Sequence, residues 1–480
     1  MNLRYCLKLA VVLLLLNVSA IIFMNIIFML TTPSAVKEKY VTVGPPKSLL
    51  EDEYIAEGDY KETEDQTREK KLIKQFEIDL STGLWDKSRV FKVHPFIIKS
   101  SKWDELRRWE VCMSSQCSAD LLFWVVEQVK TWQGPVSIAV FAPDVDFIVA
   151  KLMIQYMRTC FPEVRERVSF HLVYPGIMPP VLNTSKLLEY DCQRHEDVNN
   201  ELKNLFRTPE LKKILGVSRY PQNLMRNTAR HACQNTFSFT PDIDMLSIPS
   251  MSEQLNEFLA RPNIANCHKC AFIIPTYEIS IRAPANPTSK EELVKLRSKG
   301  LAQQFHIRVF KNNQANSNLS YWETVPSTDG SLNIAYNITT WKRHWEPIYV
   351  TNAKVPAFEE RFIGYGFTRN SQVYEMRLAG YSWLMLDGAF LTHRGFQTKR
   401  THTKTRRKQI AENSGRFNIF VRELYQRYHI QLKDEDAMSA FGQKTHTKTE
   451  DKKIENHQIE NIFVRELNQR YHIQLGDYAE

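Results

Sequence analysis

The sequence predicts an α/β fold in which helices connect the strands of an open, parallel sheet. Residues 121–132 have the periodicity of a buried helix, which Gly134 ends, and Val136–Phe141 is a compact apolar strand. Residues 144–160 then have a helical pattern, and residues 168–174 form a second apolar strand. A strand, a helix and a strand within about 40 residues are the unit of a parallel sheet.

The composition is that of a globular protein without a strong bias in charge. The chain has 480 residues, of which 43% are hydrophobic and 24% charged, so two or three domains with a sizeable core are expected. The formal net charge is +9, but Lys and Arg are mixed with Asp and Glu through most of the chain. That distribution argues against a dedicated nucleic-acid-binding protein.

The first 30 residues predict a membrane anchor. Arg4 and Lys8 lie in residues 1–8, and residues 9–30 contain no charge. About 20 apolar residues span a bilayer as a helix, whereas the core of a cleavable signal peptide has about 7–15. We therefore favour an uncleaved signal anchor over a cleaved signal peptide. Positive charge on the short N-terminal side predicts a cytosolic tail of residues 1–8, with the rest of the chain across the membrane.

Residues 31–89 are predicted to be an extended or disordered stem, and the chain beyond them to be lumenal. Most of this stretch is rich in Glu, Lys, Asp, Thr and Tyr and has little apolar periodicity. Three sequons for N-glycosylation follow, at Asn183, Asn318 and Asn337. Such sequons also arise by chance, so they support a lumenal location without proving it.

The cysteines are expected to pair in an oxidising compartment. Apart from Cys6, seven lie beyond the predicted anchor, and an odd number leaves at least one free or paired between chains. Cys267 and Cys270 have the spacing of half a zinc site, but no second Cys/His pair stands at a suitable spacing. A disulfide or structural role is favoured for these two. The seven are Cys112, Cys117, Cys160, Cys192, Cys233, Cys267 and Cys270.

A strand that ends in two acidic residues is the candidate metal site. A helical segment, residues 224–232, leads into a strand from Phe237, and Asp242 and Asp244 stand at its end. Side chains alternate along a strand, so both carboxylates are expected on one face, at the sheet edge where ligands bind. Together they suit a hard divalent cation that bridges the diphosphate of a nucleotide sugar. The alternative is a solvated turn, and Pro241 is unexpected in a central strand because it lacks a ladder donor.

The second half of the chain has a more mixed pattern. Residues 271–279 predict a strand and residues 289–299 a helix, and a strand, a turn and a strand end at residues 387–395. Aromatic residues are concentrated in residues 341–349. Aromatics beside polar residues suit either a platform for sugars or a loop-rich core, and the composition leaves both open.

The C-terminus contains an internal repeat. Residues 418–432 return as residues 461–475, and residues 401–405 return as residues 445–449. Two copies do not make a solenoid, so a duplicated amphipathic helix or an error in the gene model is indicated. We expect the second copy to be dispensable for chemistry. The basic run 399–408 is interpreted as a solvated loop, in preference to nuclear targeting or polyanion binding.

Four blocks of residues together resemble the LARGE-type glycosyltransferases (glycosyltransferase family 49), nearest to the beta-1,4-glucuronyltransferase 1-like enzymes. The blocks are residues 134–144, residues 220–230 with the acidic pair, residues 345–350 through 367–369, and residues 380–396. The resemblance implies a GT-A fold, with a Rossmann-like nucleotide-sugar half and an acceptor half, over residues 90–432. Residues 433–480 would be the duplicated C-terminal segment.

The resemblance also implies roles for particular residues at the donor site. Asp242 and Asp244 would hold Mn²⁺ against the donor diphosphate, and His393 would be a third ligand, a set that suits this ion chemically. A structural histidine is the alternative for His393. A second set, on the helix before the acidic pair, would face the donor and neutralise its phosphate or a uronic carboxylate, although solvated arginines are equally common on helices. That set is Arg226, Asn227 and Arg230.

An inverting transfer needs a general base that takes the proton of the acceptor hydroxyl. The acidic block of the family falls on residues 358–362, so Glu359 or Glu360 is the candidate. An ion pair with Arg361 or Arg369 is the alternative for Glu360.

The implied function is that of a Golgi type II membrane protein, with its catalytic domain in the lumen. It would be an inverting, Mn²⁺-dependent enzyme that transfers glucuronic acid from UDP-glucuronate to a xylose-type acceptor in O-glycan synthesis. Its partners would be a UDP-sugar, a glycan or glycoprotein acceptor and the membrane. A homo-oligomer, or a hetero-oligomer with other Golgi glycosyltransferases, is a further possibility. The alternatives are a beta-1,3-N-acetylglucosaminyltransferase that uses UDP-GlcNAc and an inactive glycan-binding relative. The long anchor opposes a third, a secreted scaffold.

Overall fold

The computed structural model describes residues 78–182, 192–205, 219–327, 331–398 and 404–430. The predicted anchor, Cys6, the sequon at Asn183 and the second copy of the repeat lie outside these ranges. Within them, no helix combines the length and the apolar character that crossing a bilayer requires.

Strands and helices alternate through the first half of the described chain. The strands are β1 (Leu84–Trp85), β2 (Phe91–Ile98), β3 (Val111–Ser118), β4 (Val136–Phe141), β5 (Val168–Pro175), β6 (Phe237–Phe239), β7 (Met245–Ser247), β8 (Cys270–Ile274), β9 (Thr276–Ile279), β10 (Ala302–Gln304), β11 (Asn333–Asn337), β12 (Ile348–Asn352), β13 (Ser382–Asp387) and β14 (Leu391–Arg394).

The helices lie mostly between these strands. They are α1 (Trp103–Leu106), α2 (Trp124–Thr131), α3 (Asp146–Cys160), α4 (Pro162–Arg167), α5 (His195–Leu205), α6 (Gln222–Ala232), α7 (Met251–Ala260), α8 (Pro262–Ala265), α9 (Lys290–Ser298), α10 (Leu319–Trp322), α11 (Thr368–Leu378) and α12 (Lys404–Arg427). The predicted helices at 121–132, 144–160, 224–232 and 289–299 are therefore found as α2, α3, α6 and α9.

A ten-stranded sheet in the order β1-β2-β5-β4-β3-β6-β12-β8-β13-β11 forms the centre of the fold. The strands β5, β4, β3 and β6 are parallel to their neighbours within that group, as predicted. The sheet as a whole is mixed, because β12 runs antiparallel to both β6 and β8. The α/β class is thus confirmed, and the expectation of a parallel sheet holds for its central strands and for the pair β8 and β13.

A second sheet brings distant parts of the chain together beside the large one. It has four strands in the order β10-β9-β14-β7. The predicted single strand 271–279 is wrong, since β8 belongs to the large sheet and β9 to the small one, with Pro275 between them. Proline cannot donate to a ladder, which is why the pairing changes at this residue.

The central strands are apolar and buried on both faces, as the crossover helices require. Every residue of β4 and of β5 is buried. Two of their polar side chains pair with each other: Ser137 Oγ lies 2.8 Å from His171 Nε2 and donates to the carbonyl of Ala229 in α6 at 2.7 Å. Burial lowers the pKa of His171 to about 3, so this imidazole is a neutral structural group.

Two other expectations are corrected by the packing. β1 pairs with β2, with Leu84 opposite Val93, so part of the predicted stem 31–89 belongs to the sheet. The basic run was expected to be a loop, but its residues 404–408 are the first turns of α12. The same helix continues to Arg427, and from Phe417 onward it packs on an apolar cluster.

The aromatic stretch 341–349 contributes to the core. Trp345 is fully buried and Tyr349 is 6% exposed, and both rings contact Trp383 of β13. Trp345 Nε1 donates to Ser317 Oγ at 3.0 Å. Of the two interpretations that composition left open, the loop-rich core is the one found for these residues.

Three disulfides form among the described cysteines: Cys112–Cys233, Cys160–Cys192 and Cys267–Cys270. The disulfide favoured over zinc for Cys267 and Cys270 is confirmed. Cys117 is buried and lies outside these disulfides, as the odd number of cysteines required.

Candidate active site

The acidic pair lies beyond the carboxyl end of β6, at the sheet edge where it was expected. The strand ends at Phe239, and the amide of Met245 donates to the carbonyl of Asp242 at 3.0 Å. Asp242 and Asp244 therefore stand in a turn between β6 and β7, and strand alternation does not set their directions. Because Pro241 follows the strand, it removes no ladder donor.

Asp242 is held by two buried arginines. Arg226 of α6 and Arg369 of α11 both donate to its Oδ1, at 3.0 and 2.9 Å. Burial by itself would raise the pKa of Asp242, but the charges of Arg369 and Arg226 outweigh it and hold that pKa below its ordinary value. The side chain of Asp242 keeps 33% exposure. It is thus an ionised carboxylate that is fixed through one oxygen and partly open to solvent.

Asp244 faces His393, which the second sheet carries to it. His393 of β14 pairs with Met245 of β7, one residue after Asp244. Its Nε2 lies 3.4 Å from Asp244 Oδ2, and its Nδ1 lies 3.0 Å from the carbonyl of Gly395. Burial alone would lower the pKa of His393, but the hydrogen bond and charge of Asp244 raise it overall.

Two carboxylates and an imidazole are a donor set that suits Mn²⁺. In the part of the chain that the structure describes, however, no three His, Cys, Asp or Glu side chains are grouped closely enough to hold an ion. Asp244 and His393 contact each other, while Asp242 turns one oxygen toward the arginines. Orphaned atoms stand near them: His306 Nδ1 and Arg226 Nε are each buried without a hydrogen-bond partner. The Phe305 ring contacts the rings of both His306 and His393. The donor chemistry fits the ion, and the metal role of the three residues stays a prediction.

The three residues of α6 that were expected to face the donor divide into two groups. Arg226 is at the acidic pair, as described above. Asn227 instead bonds the backbone of Phe358 through both ends of its amide, at 2.8 and 3.0 Å. Arg230 donates to the carbonyl of Val355 at 3.1 Å. In this structure Asn227 and Arg230 hold the loop 355–360, and their donor-binding role stays a prediction.

The two candidate bases are both engaged by neighbouring side chains. Glu359 pairs with Arg361, whose Nε lies 3.1 Å from Glu359 Oε1, and Arg361 also pairs with Glu423 of α12 at 2.6 Å. Glu360 accepts from Asn227 at 2.8 Å. Arg369, suggested as a partner for Glu360, pairs with Asp242 instead.

Sequence reasoning missed two residues of this site, Arg369 and Glu346. Arg369 comes 127 residues after Asp242, so no local pattern connects them. Glu346 lies within the block 345–350 that carries the family resemblance, which was the available signal. The charges of Arg369, Arg226 and Asp242 act on its carboxylate.

Comparison with known proteins identifies a family for this chain. Residues 110–429 match the family model described as "Glycosyl-transferase for dystroglycan". The chain is 30% identical over 355 residues to Beta-1,4-glucuronyltransferase 1 of Mus musculus, which covers 72% of this chain and 82% of that relative. It is 24% identical over 287 residues to Xylosyl- and glucuronyltransferase LARGE1 of Homo sapiens, which covers 59% of this chain and 31% of that relative.

Likeness to solved structures is weaker. The crystal structure of GalNAc-T7 with UDP, GalNAc and Mn²⁺ has a TM-score of 0.34 and 6% identity, over 66% of this chain and 50% of that one. A score of this size carries no weight for the fold. The family match covers most of the chain, and the chain therefore belongs to the family of glycosyl-transferases for dystroglycan and is a glycosyltransferase.

Proposed function

We propose that this protein transfers glucuronic acid from UDP-glucuronate to a xylose-type acceptor, with inversion at the anomeric carbon and with Mn²⁺. The observation that carries the proposal is the acidic pair beyond β6, with Asp242 fixed by two arginines and Asp244 in contact with His393. The printed activities of the relatives, glucuronyl transfer and xylosyl and glucuronyl transfer, support the choice of sugar.

The proposed architecture is a GT-A fold over residues 90–432. The parallel strands β3 to β6 would form its nucleotide-sugar half, and the chain from β8 to α12 would form its acceptor half. Ligands of open α/β sheets bind beyond the carboxyl ends of the strands, which is where Asp242 and Asp244 stand.

In this proposal Asp242, Asp244 and His393 hold Mn²⁺, which would neutralise charge on the leaving diphosphate. Arg226 and Arg369 keep Asp242 ionised and fix its direction through Oδ1. The same buried guanidinium groups add positive charge at the sheet edge where a diphosphate would lie. Asn227 and Arg230 would take part by positioning the loop 355–360. Glu359 and Glu360 of that loop, the bases expected from the sequence, are engaged by Arg361 and Asn227 in this structure.

The proposed location is the Golgi membrane, with a single N-terminal anchor and the catalytic domain in the lumen. Two findings support exposure to an oxidising lumen: the three disulfides, and the sequon residues Asn318 and Asn337, which are both exposed. Disulfides persist in such compartments and are rare in the cytosol. Association with other Golgi glycosyltransferases belongs to the same proposal.

A donor and acceptor panel tests the function. The full chain, solubilised in detergent, is given UDP-glucuronate, UDP-xylose or UDP-GlcNAc with Mn²⁺ and either a xyloside or a lactosamine, and the product is measured by mass spectrometry. We expect glucuronate on the xyloside, with loss of at least about 100-fold in Asp242→Ala. The control is Asp197→Ala, an exposed residue of α5, which should keep full activity.

The other outcomes separate the alternatives. Transfer of N-acetylglucosamine would replace the proposed donor, and glycan binding without turnover by any donor would identify an inactive relative. Mn²⁺ binding is measured separately by calorimetry, where Asp244→Ala should weaken it more than ten-fold. Activity that persists after chelation would remove the metal from the proposal.

A further inference from the structure

The segment before β12 carries a carboxylate to the acidic pair from far along the chain. β12 runs antiparallel to β6, with Val350 opposite Phe239. Antiparallel neighbours run in opposite directions, so the residues before β12 lie beside the residues after β6. Glu346 stands two residues before β12 begins at Ile348, so it lies at the same end of the sheet as the turn that holds Asp242 and Asp244.

A chain of buried hydrogen bonds fixes Glu346 there. Its backbone amide donates to the carbonyl of Asn313 at 2.9 Å, and Asn313 Nδ2 donates back to its Oε2 at 2.9 Å. Gln314 donates to Asn313, Ser317 donates to Gln314, and Trp345 donates to Ser317, at 2.8, 3.1 and 3.0 Å. These four supporting residues are all buried. Functional side chains are held in place by supporting hydrogen bonds of this kind, whereas a solvated side chain is not.

The charged groups that face Glu346 are Arg369, Arg226 and Asp242. Burial raises the pKa of Glu346, and the negative charge of Asp242 adds to that effect. The two arginines and the Asn313 hydrogen bond act in the opposite direction and only partly offset it. A carboxylate with a raised pKa is a stronger base once ionised, which is the property that proton abstraction requires.

The two carboxylates expected from sequence have other partners. Glu359 is neutralised by Arg361, which is shared with Glu423 of α12. Glu360 bonds to Asn227, whose amide also supports the loop backbone. Among the described residues, Asn313 is the one that donates a hydrogen bond to the Glu346 carboxylate, and it does so at Oε2. Glu360 likewise accepts one hydrogen bond, but the charges that act on it are those of Lys87, Asp86 and Glu359. Arg369, Arg226 and Asp242 act on Glu346 instead, so Glu346 is the one of the three carboxylates at the acidic pair.

We propose that Glu346 is the general base of the glycosyl transfer, an inference that rests on the proposed function. Its carboxylate takes the proton of the acceptor hydroxyl while that oxygen forms a bond to the anomeric carbon. The bond from that carbon to the diphosphate oxygen breaks, and UDP leaves with the electron pair. Asn313 is a positioning residue, which aims the carboxylate without touching the substrate.

The test compares three variants, Glu346→Gln, Glu359→Gln and Glu360→Gln, with the donor that the wild-type full chain uses at saturating Mn²⁺. We expect Glu346→Gln to lower kcat by about 100- to 10,000-fold with UDP affinity and donor KM nearly unchanged. The other two should stay within about ten-fold of the wild type. UDP binding by calorimetry confirms that each variant is folded.

A second variant gives a readout that loss of folding would not produce. The Asn313 hydrogen bond lowers the pKa of Glu346, so Asn313→Ala should raise it and move the acid limb of kcat to higher pH. An unmoved acid limb, or a Glu346→Gln variant with nearly normal kcat, would overturn the inference while leaving the transferase intact. A wild-type chain without turnover would remove the proposed function as well.

Discussion

Asp242 and Asp146 are two carboxylates at one sheet edge that the fold holds in opposite protonation states. Asp242 has two arginine partners, so its charged form is favoured. Asp146, at the start of α3, is fully buried and neither carboxylate oxygen has a hydrogen-bond partner. Burial, and then the charge of Asp120, raise the pKa of Asp146 to about 8. At this scale, the presence of a cationic partner decides whether a carboxylate at this edge is ionised.

Replacing Asp146 by Asn should stabilise the protein in a pH-dependent way. Because the folded pKa is raised from 3.8 to about 8, the unfolded chain loses its proton first as pH rises, and folding is progressively weakened between these values. Asn resembles the neutral acid and escapes this loss, so its advantage should grow toward pH 8, with an upper bound of roughly 5 kcal/mol. Urea unfolding at pH 5 and pH 8 measures it. An equal gain at both pH values would contradict the ionisation account.

At the scale of elements, α12 closes the fold by covering one apolar cluster. Phe420, Val421 and Leu424 on its inner face are fully buried against Phe362 and Phe367. Ion pairs extend the contact, from Glu423 to Arg361 and from Arg427 to Glu375. The first copy of the repeat therefore has a structural role, since its apolar residues are part of the cluster.

The two copies of the repeat should differ in their effect on stability. Leu424→Ala leaves a cavity in the cluster and should cost about 2–5 kcal/mol of unfolding free energy. The matched change in the second copy, Leu467→Ala, should have little effect on the free energy of unfolding. Deletion of residues 433–480 should have little effect on transferase activity. Urea unfolding and the panel assay measure these. A large loss of activity on deletion would show that the second copy is needed.

The disulfides should contribute different amounts to the free energy of unfolding, according to the length of the chain segment that each one closes. Cys112–Cys233 joins β3 to the end of α6 across 121 residues, while Cys267–Cys270 spans 3. Chain entropy predicts a cost of about 5 kcal/mol for removing the first and about 2 kcal/mol for the second. The paired Cys→Ala variants are compared by thermal unfolding. Equal losses would indicate that local packing, and not loop length, controls the effect.

At the scale of the whole molecule, one edge of the large sheet carries both described sequons. β11 is the edge strand, and Asn337 is its last residue. Tyr336 of β11 donates to the carbonyl of Ser317 at 2.8 Å, so the exposed Asn318 lies beside the same edge. The proposed active site lies beyond the carboxyl end of β6, whereas the sequons lie along the lateral strand β11. Glycans attached there would leave the proposed site free.

Expression in the secretory pathway should attach a glycan at each of these two residues. Asn318→Gln and Asn337→Gln should each lower the apparent mass of the protein by one glycan that a glycosidase can remove, and activity should be retained. Asn312→Gln, an exposed residue without a sequon, is the control and should change nothing. A chain without glycosidase-sensitive mass at either position would contradict exposure of this domain to the lumen.

Local patterns were sufficient for the elements and for part of the site. The helices α2, α3, α6 and α9 and the strands β4 and β5 could be predicted because periodicity and chain breakers are local signals. The acidic pair could be placed at the end of a strand for the same reason. Its turn geometry could not, because the ladders of β6 with β3 and β12 stop at Phe239, and that end point depends on the pairing partners.

The sequence by itself determined the α/β class, the family, the acidic pair and the excess of one cysteine. The tertiary structure decided which residues meet at that pair. Arg369 reaches Asp242 from 127 residues away, and Glu346 arrives just before β12, a strand that enters the sheet antiparallel. Contacts of this kind depend on the order and direction of strands in the sheet, which are set by the packing of the whole chain. That is why Glu346, rather than the acidic block 358–362, emerged as the proposed base only from the fold.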